Sequence, residues 1–239
     1  MRKYTRYEVI KRAVDVSLAV LGLLASAPLA LVTALIIRMT SPGPVLYRGM
    51  RVGRNGRLFA MLKFRTMVTN AESLGGSATA EDDPRITPVG RFLRRYKLDE
   101  LPQLFNVLRG DMSVVGPRPE VEKYVSVATP AGREILSVLP GITDWASIWN
   151  SNEAAVLEGS RDPEKTYEEL IRPTKIALQL VYVRERSTRT DLAIITHTVA
   201  KLLDENWIPG KLKPYGKVRT YRMTSESSLR SIESPVSDT

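Results

Sequence analysis

Residues 97–108 read KLDELPQLFNVL, and this segment carries the most informative chemistry of the chain. Two adjacent carboxylates, Asp99 and Glu100, stand at the start of a short apolar run. The arginines that flank the segment are Arg91, Arg94, Arg95 and Arg109, and Gly116-Pro117-Arg118-Pro119 follows soon after. Carboxylates among cations suit a site that handles phosphate through a metal ion or a carboxylate nucleophile. An ordinary helix start, where the macrodipole favours acidic residues, produces the same pattern, so both interpretations stay open at this point.

The composition narrows the range of partners and excludes several kinds of chemistry. The 239 residues carry a formal net charge of +9 and the pI is about 9.8, which favours an acidic partner such as nucleic acid, anionic lipid or a phosphorylated substrate. The absence of cysteine excludes disulfides, thiolate catalysis and cysteine-ligated zinc. The single histidine, His197, lies in a run that reads as a helix and is expected to be an ordinary helix residue. Carboxylates, arginines and lysines are therefore the remaining chemical groups.

An uncharged segment, residues 16–37, is long enough to match the hydrocarbon core of a bilayer as a helix. Both of its flanks are basic: Arg2, Lys3, Arg6, Lys11 and Arg12 precede it, and Arg38, Arg48, Arg51, Arg54 and Arg57 follow it. A full transmembrane span calls for more positive charge on one side than on the other. The similarity of the two flanks therefore argues against a full span.

Two further alternatives for this segment are disfavoured. Ala25-Ser26-Ala27 has the form of a signal-peptide cleavage site, but Pro28 would follow the cut directly and the apolar run continues to Ile37. A buried core helix of a soluble protein fits neither the length of the run nor its basic flanks. We therefore favour a hairpin that enters the membrane and returns to the same side, broken at Pro28, with the hydroxyls of Ser26 and Thr33 bonding carbonyls one turn back.

A β-hairpin is predicted directly after the apolar segment. Residues 45–48 read as a short strand, Asn55-Gly56 as the tip of the turn and residues 58–67 as the return strand. On the return strand Phe59, Met61, Lys63 and Arg65 would share one face. Two cations on one face form either a solvated sheet edge or a cradle for phosphate.

The remaining pattern predicts a mostly helical α+β fold. Residues 175–186 and 191–204 read as amphipathic helices, and residues 223–239 are rich in serine and are expected to be disordered. We predict three parts: a basic N-terminus with a re-entrant membrane helix at 1–40, a compact cytoplasmic catalytic body at 41–210, and a basic, then Ser-rich tail at 211–239. The catalytic body would contain the small β-hairpin and amphipathic helices at the membrane interface.

Eight short motifs occur in an order that points to one known family. They are KRAVD at 11–15, SPGP at 41–44, RVG at 51–53, KFRTM at 63–67, DPR at 83–85, VGRFLR at 89–94, LDELPQ at 98–103 and GDMSVVGPRP at 110–119. Together they closely resemble the bacterial sugar transferases, the monotopic phosphoglycosyl transferases that begin polysaccharide and glycoprotein assembly. The resemblance covers roughly residues 10–200. One such motif would be weak, but eight in order are specific.

The resemblance implies a reaction and a set of site residues. Such enzymes move a phospho-sugar from a nucleotide diphosphate sugar, usually a UDP-sugar, to a polyprenol phosphate, with Mg²⁺, through a covalent intermediate in a ping-pong course. Asp99 would attack the phosphate next to the sugar and expel UMP. Glu100 would hold the metal or accept the polyprenol-phosphate proton, and both carboxylates are implied metal ligands. Because Arg binds phosphate oxygens bidentately, the candidate substrate-binding residues are Lys63, Arg65, Arg94, Arg95 and Arg118.

The resemblance also implies a location, at the cytoplasmic face of the bacterial inner membrane, with a re-entrant helix whose two ends are both cytoplasmic. Three positions depart from the family pattern. Ala27-Pro28 replaces the usual Ser-Pro at the break, with Ser26 one position earlier. Asp144 replaces a glycine, and Ser151 stands where many relatives have an arginine that is thought to contact substrate phosphate. Either another cation substitutes for that arginine or the donor is held differently.

Two functions of other classes remain as alternatives. A membrane-tethered basic module could bind anionic lipid or nucleic acid, but phosphate backbones call for cations and leave the carboxylate pair unaccounted for. A metal-dependent phosphohydrolase could use the same carboxylates. The partners we expect are a UDP-sugar, a polyprenol phosphate and the anionic bilayer, and not nucleic acid. The identity of the sugar and the oligomeric state stay open, and a homodimer is compatible with the sequence.

Overall fold

The computed structural model describes residues 5–125, 127–204 and 206–216, and within these ranges the fold is mostly helical α+β with two small sheets. The helices are α1 (Arg6–Thr40), α2 (Ala71–Leu74), α3 (Pro88–Arg95), α4 (Gln103–Arg109), α5 (Pro130–Ile135), α6 (Trp145–Trp149), α7 (Glu153–Leu157), α8 (Pro163–Thr166), α9 (Arg172–Glu185) and α10 (Thr188–Leu203). The strands are β1 (Leu46–Val52), β2 (Leu58–Phe64), β3 (Ser113–Val115) and β4 (Gly141–Thr143). The predicted fold class is confirmed at this level. The predicted Ser-rich tail lies outside the described residues.

Helix α1 is apolar, and most of its side chains face away from the rest of the protein. A capping box between Thr5 and Glu8 fixes its first turn. Its most apolar 18-residue window has a mean hydropathy of 2.4, and only 11% of that window is buried. Among the described residues, α1 is the one helix long and apolar enough to cross a membrane. Because a soluble core helix would bury most of its apolar surface, this exposure argues against that alternative.

The course of α1 past Pro28 differs from the prediction. The helix runs from Arg6 to Thr40 with the exposed Pro28 inside it, so no helix end falls at Ser26 or Pro28. A helix end at these residues is therefore excluded, whereas a kink of the helix at Pro28 stays a prediction. A proline removes one backbone hydrogen bond, and the bonds on either side of it keep the helix continuous. The re-entrant course of the helix stays a prediction.

Polar contacts fix α1 against the body of the protein. Arg12 donates to the carbonyl oxygens of Val107 and Leu108 near the end of α4, at 2.6 and 2.8 Å. A cation at a helix C-terminus satisfies free carbonyls and interacts favourably with the helix dipole. Asp15 is 3% exposed and accepts the backbone N–H of Val114 in β3 at 2.9 Å. Helix α1 is thus hydrogen-bonded to α4 and β3, the two elements that lie on either side of residue 110 and adjoin the candidate site in sequence.

The predicted hairpin is confirmed, with a shorter return strand. Strands β1 and β2 pair antiparallel, with Leu46 opposite Phe64 at one end and Val52 opposite Leu58 at the other. At the tip Asn55 and Gly56 have φ of 58° and 79°, the left-handed region that Asn-Gly adopts readily. Because β2 ends at Phe64, Lys63 lies in the strand and residue 65 lies outside it.

A buried asparagine fixes α4 beside β2. Asn106 is fully buried, accepts the backbone N–H of Leu62 at 2.9 Å and donates to the carbonyl of Ala60 at 2.8 Å. These two bonds replace ladder bonds on the inner edge of the hairpin, so an amide of this size is required. The consequence is that Lys63 on β2 is held next to the chain that enters α4.

The second sheet brings two glycines into close contact. Strands β3 and β4 are parallel, pairing Ser113 with Gly141 and Val115 with Thr143. A Cβ atom on Gly141 would lie 2.1 Å from the backbone nitrogen of Gly116. This close approach sets the path of the chain just before the segment that carries Arg118.

We expect Gly141→Ala to lower the free energy of unfolding by about 1–3 kcal/mol or more, because the added methyl group meets backbone that no rotamer change can move. Denaturant unfolding of the detergent-solubilised protein measures this change. Gly210→Ala is the matched control, since a Cβ there has no atom within 4 Å, and its effect should stay within about 0.5 kcal/mol. Equal stability of the two variants would contradict the expected clash.

Candidate active site

The carboxylate pair lies in an open cleft of about 2230 Å³. Strands β1 and β2, helix α3, the segment after β3 and the α6–α7 region contribute to its walls. Asp99 and Glu100 belong to a separate 3-10 turn, Leu98–Glu100, which precedes α4 instead of beginning it. Lys97, two residues before Asp99, adopts a left-handed conformation with φ of 56°. The alternative that the two carboxylates simply begin a helix is therefore excluded, because they lie in a separate turn and both line the cleft.

Glu100 is held by two cations. Lys63 Nζ lies 2.8 Å from Oε1, and Arg118 contacts Oε1 through Nη2 and Oε2 through Nη1, the latter at 3.2 Å. Burial opposes the ionisation of Glu100, but the charges of Arg118 and Lys63 outweigh it, so the pKa of Glu100 lies well below its usual range. Glu100 is therefore an ionised anchor that orients both cations.

Asp99 is buried but more weakly paired. It is 5% exposed, and Lys63 Nζ lies 3.6 Å from its Oδ2, a longer contact than the one with Glu100. Burial raises the pKa of Asp99, Lys63 lowers it and Glu100 raises it again, and the net direction is upward. Adjacent carboxylates whose pKa values are driven apart are typical of a division of roles. Asp99 is the poorly solvated member of the pair, and its pKa lies above its usual range.

Two more of the predicted cations lie near the cleft. Arg94 donates through Nε to the Thr66 hydroxyl at 2.9 Å, and its charge lowers the pKa of Asp99. Arg95 lines the cleft but is exposed, with its guanidinium 5.9 Å from the centre of the Tyr96 ring. Arg94 therefore acts on the carboxylate pair through its field, and Arg95 faces the outer part of the cleft.

Arg65 lines the same cleft as Lys63, as the shared face predicted, although β2 itself ends at Phe64. Its backbone N–H still donates to the carbonyl of Val45 at 2.9 Å. Its side chain is 6% exposed and donates to the carbonyl oxygen and hydroxyl of Ser41 at 2.9 and 2.6 Å. The Arg65 guanidinium thus ties the end of α1 to the hairpin instead of contacting the carboxylate pair.

Sequence reasoning missed Lys97 as a site cation. It lines the cleft, and its charge lowers the pKa of both Asp99 and Glu100. Its position two residues before Asp99 was the available signal. That signal was insufficient because only the left-handed turn at Lys97, an unusual conformation for a residue with a side chain, reveals where the chain aims it.

The structure also locates Asp144 and Ser151, the two departures from the family pattern in the C-terminal part of the chain. Asp144 is fully buried and caps α6, accepting the backbone N–H and the hydroxyl of Ser147, both at 2.7 Å. Ser151 lines the cleft on the wall formed by the α6–α7 region. Cations that line the same cleft include Lys63, Lys97 and Arg118. These are the side chains available to contact phosphate in the absence of an arginine at position 151.

The side chains of the site could hold a magnesium ion in only one kind of arrangement, in which the substrate and water supply most of the ligands. Among the described residues, no group of three or more His, Cys, Asp or Glu side chains is arranged to hold a metal. Magnesium commonly binds through one or two carboxylates together with substrate phosphates and water. Both oxygens of Glu100 contact cations, so Asp99 fits the role of metal ligand better than Glu100. A protein-only magnesium cage is not what these residues form.

Comparison with known proteins agrees with this geometry. The sequence profile of the family described as bacterial sugar transferase matches residues 6–205, a range that contains α1 and the whole candidate site. The chain belongs to the bacterial sugar transferase family. This membership places the carboxylate pair and its cations in a family of enzymes, and it confirms the family that the eight motifs predicted.

Several curated relatives of this bacterial sugar transferase are known. The undecaprenyl-phosphate glucose phosphotransferase of Komagataeibacter xylinus is 42% identical over 203 residues, which are 80% of this chain and 35% of the relative. The UDP-N-acetylgalactosamine-undecaprenyl-phosphate N-acetylgalactosaminephosphotransferase of Aeromonas hydrophila is 37% identical, covering 82% of this chain and 44% of the relative. The exopolysaccharide production protein ExoY of Sinorhizobium fredii is 34% identical, covering 80% and 84%. This chain thus spans less than half the length of the first two relatives, whose names specify different sugars.

Proposed function

We propose that this bacterial sugar transferase moves a phospho-sugar from a UDP-sugar to a membrane polyprenol phosphate and releases UMP. The observation that carries the proposal is the convergence of Lys63 and Arg118 on Glu100 beside the buried Asp99. Two of the relatives are named for undecaprenyl phosphate, which supports a polyprenol phosphate acceptor. The reaction would be a first membrane step in the assembly of a polysaccharide or another glycoconjugate.

The proposed mechanism has two displacements at one phosphorus atom. A carboxylate oxygen of Asp99 attacks the phosphorus next to the sugar, and the bond from that phosphorus to the bridging oxygen breaks. UMP leaves with the electron pair, and an aspartyl-phosphosugar remains. An oxygen of polyprenol phosphate then attacks the same phosphorus and displaces the Asp99 carboxylate. Each step makes one P–O bond and breaks one.

The cations of the site account for the electrostatics of both steps. Lys63 and Arg118 lie where they can contact diphosphate oxygens while Glu100 keeps them oriented. A bound Mg²⁺ would neutralise charge on the diphosphate, with Asp99 as its protein ligand. Since Glu100 stays ionised and bridges the two cations, its proposed role is to fix them in place.

The location we propose is the cytoplasmic face of the bacterial inner membrane, with α1 as a re-entrant membrane helix. The exposed apolar residues of α1 include Leu21, Leu24, Leu31 and Leu35. A bilayer around them would bring the acceptor phosphate to the same surface as the cleft. If both ends of α1 are cytoplasmic, a periplasm-dependent reporter fused to either terminus should give no signal. A signal from one terminus alone would replace the hairpin by a span.

The function is tested by following radiolabelled sugar from UDP-sugars into lipid in the presence of polyprenol phosphate and Mg²⁺. We expect label in the lipid fraction and an equal amount of UMP. Label released as water-soluble sugar phosphate, with none in lipid, would identify a phosphohydrolase instead. Absence of any turnover across the sugar panel would favour a binding module.

Lys63→Met is expected to move the acid limb of the rate–pH profile to higher pH. Asp99 attacks as a carboxylate, and burial raises its pKa while Lys63 lowers it. Removing the cation raises the pKa of Asp99 further, so a larger fraction is protonated and inactive at a given acidic pH. Transfer rates measured from acidic to neutral pH test this shift.

The control is Lys63→Arg, which keeps the positive charge and should leave the acid limb close to that of the wild type. An unchanged limb in Lys63→Met would show that Lys63 does not act on the ionisation of Asp99.

A further inference from the structure

Residues 118–120 separate two cavities and are called the partition here. Arg118, Pro119 and Glu120 line the catalytic cleft on one side and a second cavity of about 320 Å³ on the other. The second cavity is lined by apolar residues of α5 and of the segment that follows it, by the end of β1, and by Arg172, Lys175, Ile176 and Gln179 of α9. A side chain that faces a void lacks partner atoms on that side, so packing alone positions it weakly. Polar contacts must therefore hold this segment.

The backbone of Arg118 is held from both sides. Its N–H donates to Oδ2 of Asp144 at 3.3 Å, and its carbonyl accepts from Nε2 of Gln179 at 3.3 Å. Both partners are buried, with Gln179 4% exposed and Asp144 fully enclosed. These contacts are long, however, and a stronger constraint on the segment lies two residues further on.

Glu120 provides that stronger constraint. Its Oε1 lies 2.5 Å from Lys175 Nζ and accepts the Tyr167 hydroxyl at 2.8 Å. The carbonyl of Glu120 also accepts the backbone N–H of Val52 at 3.0 Å, which joins the segment to the hairpin. Lys175 of helix α9 thus fixes the position of Glu120, the last residue of the partition.

Lys175 is a buried lysine with a complete set of partners. It is 7% exposed, and besides Glu120 it contacts Glu153 at 3.3 Å and the Tyr167 hydroxyl at 3.1 Å. A buried ammonium group is costly unless it is paired, and a buried pair is costly to break from either side. The contacts of Lys175 connect α9, α7 and the π-helical turn Tyr167–Ile171 to a segment two residues from Arg118.

We propose that Lys175 is a positioning residue that acts through Glu120 to place the Arg118 guanidinium against Glu100. The proposal rests on the proposed function, because it assigns Arg118 a part in the transfer. Without the Lys175–Glu120 pair, the segment loses the anchor of its Glu120 side chain on α9. It keeps the backbone bonds from Val52 and Gly141 and the two longer contacts to Arg118, so Arg118 can shift toward the cavity behind it. A displacement of about 1 Å at a catalytic contact is enough to cost as much as a hundredfold in rate.

A double-mutant cycle tests the proposal, with transfer to polyprenol phosphate as the readout. The variants are Lys175→Met, Arg118→Met and the double variant. We expect Lys175→Met to reduce kcat between about tenfold and a hundredfold in the wild-type background. In the Arg118→Met background the same change should cost less than about twofold, because the group that Lys175 positions is already gone.

The control is Lys165→Met, an identical substitution at a lysine whose side chain is 69% exposed, and its activity should equal that of the wild type. Equal effects of Lys175→Met in both backgrounds would overturn the proposal, because a general loss of structure is additive with the loss of Arg118. Wild-type activity in Lys175→Met would overturn it as well.

A second variant covers the case in which Lys175→Met does not fold. Glu120→Gln keeps the size of the side chain and removes the charge that Lys175 pairs with, and it should show the same dependence on Arg118. Additive effects of Glu120→Gln would overturn the proposal. Failure of the proposed function has a different signature, since the wild type itself would then transfer no label to lipid.

Discussion

Asp99→Asn is expected to abolish a covalent phospho-sugar adduct and to reduce transfer by at least about 10³-fold. The amide has nearly the size of the carboxylate, so the buried turn should persist, but it lacks the charge needed to attack phosphorus. Intact-protein mass spectrometry after incubation with Mg²⁺ and a panel of UDP-sugars, without acceptor, measures the adduct. The wild type should gain the mass of one phospho-sugar, and the sugar that produces the gain identifies the usable donor.

The matched control is Asp82→Asn, since Asp82 is exposed and lies outside the cleft lining. It should form the adduct as the wild type does. An adduct that persists in Asp99→Asn would place the nucleophile elsewhere. A wild type that forms no adduct, and releases UMP only when polyprenol phosphate is present, would point to direct transfer. Asp99 would then serve as a metal ligand.

Arg118→Met is expected to reduce transfer by about 10²–10³-fold, the loss typical of removing one preorganised donor from a charged site. Arg118 contacts both oxygens of Glu100 and lines the cleft, so the substitution removes a phosphate-binding group and loosens the anchor of Lys63. Arg118→Lys should lose less, because it keeps the charge but not the bidentate geometry. Steady-state rates of the two variants with saturating acceptor measure both losses.

Arg184→Met serves as the matched control, because Arg184 pairs with Glu134 on an exposed surface and its side chain is 64% exposed. Such an exposed, solvent-screened pair contributes little to stability, and its loss should leave transfer unchanged. If Arg118→Lys and Arg118→Met transfer at equal rates, charge is not what Arg118 supplies. If Arg118→Met matches the wild type, the convergence on Glu100 has no part in turnover.

Local patterns in the sequence were enough for much of the fold. The turn chemistry of Asn55-Gly56 located the hairpin tip, and the apolar periodicity located α9 and α10 to within a few residues. Ordered motifs identified the family and the carboxylate pair. These features depend on residues close together in the chain, where propensity, capping and turn geometry act directly.

The prediction for Pro28 illustrates where local rules fall short. Proline disfavours a helix interior, yet α1 continues through it, because the helix is held at its start by Arg12 and Asp15 and further along by packing of Ile37. The alternation of a strand placed Arg65 on the face of Lys63, and both residues line the cleft. Only the tertiary structure shows that the Arg65 guanidinium bonds Ser41 and not the carboxylate pair.

The sequence by itself determined the family, the apolar N-terminal helix, the hairpin and the identity of the two carboxylates. Only the tertiary structure decided which cations serve them. Lys63 comes from a strand 37 residues before Glu100, and Arg118 lies 18 residues after it. Lys175 pairs with Glu120 across a still larger gap of 55 residues. Such contacts depend on how distant elements pack. Burial raises the pKa of both carboxylates, and the charges of Arg118 and Lys63 then lower that of Glu100 well below its usual range.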